Sequence, residues 1–168
     1  MYRKKGKHAG VVCGFMVVFV KGGKVKKGRI ITDGETIKEI LLNCHTVAVL
    51  GLSPKPERDS HMVATYLKSN GYTILPVRPG QRELLGERAY ASLDEIEEPV
   101  DMVNVFRKSE VVPQHAREAI RLQPKIFWMQ LGITSQEAAD ILTDAGIDVI
   151  MDKCIKVEHA RLCKAPSC

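Results

Sequence analysis

Residues 46–79, TVAVLGLSPKPERDSHMVATYLKSNGYTILPVRP, decide the architecture of this chain. An apolar run over 46–50 breaks into a Gly/Ser/Pro loop, resumes as an amphipathic segment, and ends in a second apolar run over 72–77. That order is strand, loop, helix and parallel strand. A loop that feeds a helix at the carboxyl end of a strand gathers free backbone N–H groups and the positive end of the helix dipole. Such a place suits a phosphate or pyrophosphate. The stretch therefore predicts a nucleotide-like ligand.

Working outward, the remaining periodicity repeats the same unit. Thr32 with Glu35 has the spacing of a helix cap, and Ile37, Ile40 and Leu41 follow on one helical face. Met62, Val63, Tyr66 and Leu67 share a face of the next helix, which Asn70-Gly71 ends. DMVNVF (101–106), KIFWMQ (125–130) and 148–151 read as strands three to five. Helices are predicted from about Ser109 with Pro113 near its start, from Thr134 with Glu137 as cap, and over 156–162. Strands alternating with helices of this length build a parallel sheet covered on both faces. The expected fold class is α/β, a Rossmann-like doubly wound parallel sheet of about five strands. Its expected order is 3-2-1-4-5, in three layers α/β/α.

Charge divides the chain. Nine of its 25 Lys and Arg residues lie in residues 1–30, which hold no Asp or Glu. The remaining sixteen face twenty carboxylates, so residues 31–168 carry −4 although the whole chain carries +5. The expected division is a basic N-terminal extension over 1–30, with a hairpin around Gly22 and Gly23, and one domain over 31–168. Nucleic acid is not expected as the partner of that domain. Five cysteines, odd in number and without a CxxC pair, fit a reducing compartment. The apolar run at 10–20 is too short to span a bilayer and lacks a cleavage site, so no membrane is expected and the predicted location is cytoplasmic.

The loop at 51–60, GLSPKPERDS, supplies Gly51 for the tight turn, Ser53 and Ser60 as hydroxyls, and Lys55 and Arg58 as cations. Ser60 is also placed to cap the helix. There is no GxGxxG. Where NAD-binding folds place an acidic residue after strand two, this chain has Arg78, which suits a phosphate on the adenosine ribose. Two ligands satisfy that reading, NADP and coenzyme A. A proline-stiffened surface loop and a solvated strand-end arginine are the plainer alternatives.

The chain over about 31–162 resembles the small stand-alone CoA-binding proteins, whose domain is similar to the N-terminal domain of the succinyl-CoA ligase alpha subunit. The resemblance is carried by residues 47–79, LLGERAYASLDEI, VDMVNVFRKSE, FWMQLGI and DKCIKVEHARL. It implies that Gly51, Ser53, Arg58 and Ser60 hold the diphosphate of coenzyme A. It implies Arg78, Pro79, Phe106, Arg107 and Lys108 near the adenosine, and Gln130, Leu131 and Gly132 along the pantetheine arm. The family usually has asparagine where Arg78 stands, and residues 1–30 lie outside the resemblance.

Chemistry needs an activated group. His159 has Glu158 beside it, but adjacent helical residues do not face each other, and a packing histidine is the simpler reading. His61 is a candidate phosphate ligand or cap. Cys154, His159, Cys163 and Cys168 match no usual zinc spacing, so no metal is expected. Trp128 reads as core, and Phe106 as either core or adenine platform. Cys154, after strand five, is placed to approach a CoA thiol. No catalytic residue is assigned. The leading expectation is a non-catalytic CoA-binding, carrier or regulatory protein acting on CoA or an acyl-CoA through residues 51–60. The alternatives are an NADP-dependent oxidoreductase and a nucleotide-sensing regulator.

Overall fold

The computed structural model describes residues 26–164. The hairpin expected around Gly22 and Gly23 lies outside the described residues, as do Cys13 and Cys168. In chain order the elements are α1 (Gly34–Asn43), β1 (Thr46–Leu50), α2 (Asp59–Ser69), β2 (Thr73–Val77), β3 (Glu83–Leu84), β4 (Glu87–Arg88), β5 (Met102–Val105), α3 (Val112–Ile120), β6 (Ile126–Met129), α4 (Gln136–Asp144), β7 (Asp148–Ile150) and α5 (Ile155–Cys163). Single 3₁₀ turns occupy Leu93–Glu95 and Ser109–Val111.

Five strands form one parallel sheet in the order β2-β1-β5-β6-β7, and β3 pairs with β4 in a small antiparallel hairpin. Successive side chains of a strand point to opposite faces, so each central strand feeds two cores. Ala48, Val103 and Phe127 pack under α3 and α4 with Ala116 and Leu142. Val47, Val49, Met102 and Trp128 pack under α1, α2 and α5 with Leu41, Leu67 and Ile155. The three-layer α/β/α arrangement is the expected one. Trp128 is fully buried, and its indole N–H donates to the Lys153 carbonyl at 2.6 Å.

The strand order differs from expectation. Counting the parallel strands alone it is 2-1-3-4-5, not 3-2-1-4-5, because β5 pairs directly with β1 from Val47↔Met102 to Leu50↔Val105. The reason is legible at Pro76, inside β2. Its carbonyl accepts from Tyr90 N at 2.9 Å along the edge away from β1, and Arg78 N returns a bond to Tyr90 O at 2.8 Å. A proline offers no N–H to a further strand on that side, which confines β2 to the sheet edge. Consequently the chain leaves β1 toward β2 through α2 on one face and leaves β5 toward β6 through α3 on the other. The crevice where those connections diverge lies between the carboxyl ends of β1 and β5, the topological switch point of such a sheet.

Two helix caps also move by one residue. Asp33, not Thr32, caps α1, with its Oδ1 accepting from Thr36 N at 2.8 Å. Ser135, not Thr134, caps α4 through a bond from Ala138 N. At the amino end of the sheet, Asp101 accepts from His45 N at 2.9 Å, Thr46 N at 3.0 Å and Lys125 Nζ at 2.7 Å. Burial alone would push its carboxyl up; these donors outweigh that and hold it at about 2. No helix among the described residues is long and apolar enough to cross a membrane.

Residues 28–31 run beside β7. Gly28 N donates to Thr143 O, Ile31 N to Val149 O, and Val149 N to Arg29 O, each at 2.8 Å. A chain starting at residue 26 keeps these bonds and one starting at residue 32 loses them. At about 1 kcal/mol for each net hydrogen bond, the shorter chain should be less stable by about 3 kcal/mol. Urea unfolding of the two truncations measures this, and equal midpoints would contradict the edge pairing.

Candidate functional site

The loop after β1 turns at Gly51, whose φ is +89° and which is buried. A Cβ there would lie 2.5 Å from the Phe106 carbonyl oxygen, so only glycine lets the β1 loop sit this close to the end of β5. Backbone bonds lace the edge together: Gly51 N donates to Val77 O and Phe106 N to Leu50 O, both at 2.9 Å.

Ser60 is buried and does not cap α2 as expected. The N-cap position is Arg58, no side chain caps the helix, and Ser60 Oγ instead accepts from Ser53 N at 3.0 Å. That bond folds the loop back over the first turn of α2. Lys55 N donates to Ser53 Oγ at 3.2 Å, and His61 Nδ1 stands 2.9 Å from Ser53 O. No side chain caps this helix start, and Asp59 and Ser60 of its first turn line the crevice, which places the positive end of the helix dipole beside it.

Two cavities adjoin along this edge. The first, about 500 Å³, is lined by Gly51, Ser53, Lys55, Arg58, Ser60 and Arg78 among others. The second, about 610 Å³, lies between the N-terminal halves of α2 and α5 and is lined by Met62, Gln130, Leu131, Cys154 and Val157 among others. Asp59 and Phe106 line both. Cations dominate: Lys55, Arg58 and Arg78 in the first and Arg107, Lys108 and Lys156 in the second, against Asp59 as the only carboxylate among the described residues that line them. The arrangement gives an anion-binding end joined to a more apolar trough.

The structure brings Gly51, Ser53, Lys55, Arg58, Ser60, Arg78 and Phe106 to one cavity. Arg107 and Lys108 stand with Gln130 and Leu131 in the second cavity, apart from Arg78. Pro79 and Gly132 line neither; Gly132 N donates to Asp152 Oδ1 at 2.7 Å. Asn104 was not singled out in the sequence. It is fully buried in β5, its Oδ1 accepts from Gln130 Nε2 at 2.6 Å, and its Nδ2 has no partner among the described residues. An amide inside an otherwise apolar strand was the available signal. Arg107 Nε is likewise buried without a partner. Met62, Lys156 and Val157 reach the site only through the approach of α2 and α5.

His159 lies away from these cavities. It is buried, its Nδ1 is 3.0 Å from the Tyr66 hydroxyl, and its ring meets Tyr66 and Tyr72 edge-on at 5.6 Å. Burial, with the Lys164 ammonium second, holds its pKa below the ordinary 6.5. Glu158 pairs with Arg161 instead. No group of three or more His, Cys, Asp or Glu able to hold a metal occurs among the described residues.

A family model described as a CoA binding domain matches residues 45–160. The Bacillus subtilis (strain 168) protein YneT, itself described as uncharacterized, is 48% identical over 124 residues, covering 74% of this chain and 92% of that one. A Thermus thermophilus structure is 41% identical with a TM-score of 0.75, covering 78% of this chain and 99% of its own. A hypothetical protein from Pyrococcus horikoshii OT3 is 34% identical with a TM-score of 0.76, over 79% and 93% of the two chains. The matched span runs from just before β1 into α5 and takes in every element that borders the two cavities, and on it the chain belongs to the CoA-binding domain family.

Proposed function

We propose that this protein binds coenzyme A or a CoA thioester along the carboxyl edge of its sheet, as a carrier or regulator without chemistry of its own. One observation carries the reading: a cation-lined cavity continues past Phe106 into a trough where Met62, Val63, Leu131, Ile133 and Val157 stand beside Arg107, Lys108 and Lys156. Coenzyme A has that polarity, a nucleotide with three phosphates followed by a long, weakly polar arm. In this reading the diphosphate lies on Gly51, Ser53, Lys55, Arg58, Ser60 and the start of α2. Arg78 meets the adenosine with its 3′-phosphate, and Gln130 borders the arm. The buried, unpartnered Asn104 Nδ2 and Arg107 Nε fit a ligand that brings acceptors. The two loop hydroxyls accept from backbone donors, and neither is hydrogen-bonded to a histidine side chain. That supports holding rather than catalysis.

Cys154 lines the trough and is half-buried, so it reports whether the arm lies there. At about 100 times its dissociation constant, CoA leaves roughly 1% of the protein free. Alkylation of Cys154 by iodoacetamide, followed by peptide mass spectrometry, should then slow by more than about tenfold. NADP, which has no such arm, should leave the rate unchanged. An unaltered rate with saturating CoA would overturn this placement.

A further inference from the structure

The trough is more apolar than an unadorned pantetheine arm requires. Among the described residues six large apolar side chains remain exposed, and three of them, Met62, Leu131 and Val157, surround this one cavity. They come from three separate elements, α2, the turn after β6, and α5. Leu131 is 69% exposed and Val157 57%. Single exposed apolar residues are ordinary, whereas a cluster at a cavity mouth marks a binding surface. Phe106, Ile133, Val63 and Cys154 extend the same wall inward. The polar side chain this cavity offers to the arm's amides is Gln130, on its inner wall, and the three exposed apolar side chains at the rim provide no hydrogen bond to them.

We propose that the ligand is a CoA thioester bearing an aliphatic acyl chain, with that chain laid against Met62, Leu131 and Val157. This rests on the reading that the site binds CoA. Continuity commits the occupant: the trough opens directly from the cation-lined cavity through shared walls at Asp59 and Phe106, so what fills it is attached to the anion held there. Beyond the sulfur of a CoA thioester comes hydrocarbon, which removes the apolar rim from water.

Isothermal titration of the full chain with CoA, acetyl-CoA, butyryl-CoA and hexanoyl-CoA tests this. Affinity should rise by about fourfold per two-carbon step, roughly half the transfer gain of two fully buried methylenes, since the trough is open to solvent. In Leu131→Asp and Val157→Asp the ratio of hexanoyl-CoA to CoA affinity should fall toward one. Both positions are exposed, so these variants keep the fold, which circular dichroism verifies. A flat or falling series in the unaltered protein overturns the acyl assignment while leaving CoA binding standing. So does a gradient that persists in both variants. If CoA itself does not bind, the preceding reading falls and this one with it.

Discussion

Gly51→Ala is expected to abolish most CoA binding, by more than about tenfold, and to lower stability by about 2–4 kcal/mol. Two separate costs meet at this residue. Its φ of +89° is strained for any residue with a Cβ, at roughly 1–2 kcal/mol. The added carbon would also sit 2.5 Å from the Phe106 carbonyl oxygen, a backbone atom that cannot swing aside. Relief requires the β1 loop or the end of β5 to move, and Phe106 lines both cavities. Gly80→Ala separates the two effects. Gly80 has a φ of +78° but nothing within 4 Å of an added Cβ, so that variant should lose about 1 kcal/mol and bind normally. Titration calorimetry and urea unfolding of both variants check the pair. Unchanged binding by Gly51→Ala would show that the close approach of these two backbones does not shape the site.

The second large effect belongs to the arginines. Arg58 stands at the uncapped start of α2, and Arg78 follows β2, its Nη1 3.4 Å from the Leu52 carbonyl. Hydrogen bonds to a charged partner contribute about 1.5–3 kcal/mol, so Arg58→Ala should weaken CoA roughly tenfold to a hundredfold. Arg78→Ala should do the same to CoA but leave dephospho-CoA, which lacks the 3′-phosphate, nearly unaffected. The unaltered protein should therefore prefer CoA over dephospho-CoA, and Arg78→Ala should erase the preference. Equal losses for both ligands would remove Arg78 from the 3′-phosphate. Both arginine effects should shrink as salt is raised, because exposed charges are screened.

Much of this architecture can be read from residues 46–79, because a strand, a loop and a helix are local patterns of period and turn chemistry. The strand order is not local, yet Pro76 carries the missing information: a proline within β2 leaves no donor for an outer neighbour. The caps at Asp33 and Ser135 sit one residue from the expected Thr32 and Thr134, a choice that spacing alone leaves open. At the site, Gly51, Ser53, Lys55, Arg58 and Ser60 are visible because they are consecutive in one loop. Ser60 changes role, since its hydroxyl holds Ser53 N rather than its own helix. Asn104 hides among apolar neighbours in β5. Met62, Leu131, Cys154 and Val157 meet only when α2, α5 and the turn after β6 converge, a tertiary fact with no signature in spacing.

Thermal unfolding with saturating ligands tests the central claim most directly. At about 100 times its dissociation constant a ligand adds about 2.7 kcal/mol, which for a domain of this size raises the midpoint by roughly 5–11 °C. CoA and acyl-CoA should produce that shift, with NADP and NAD leaving the midpoint in place. A shift with NADP and none with CoA would contradict the account and return the site to a nicotinamide cofactor.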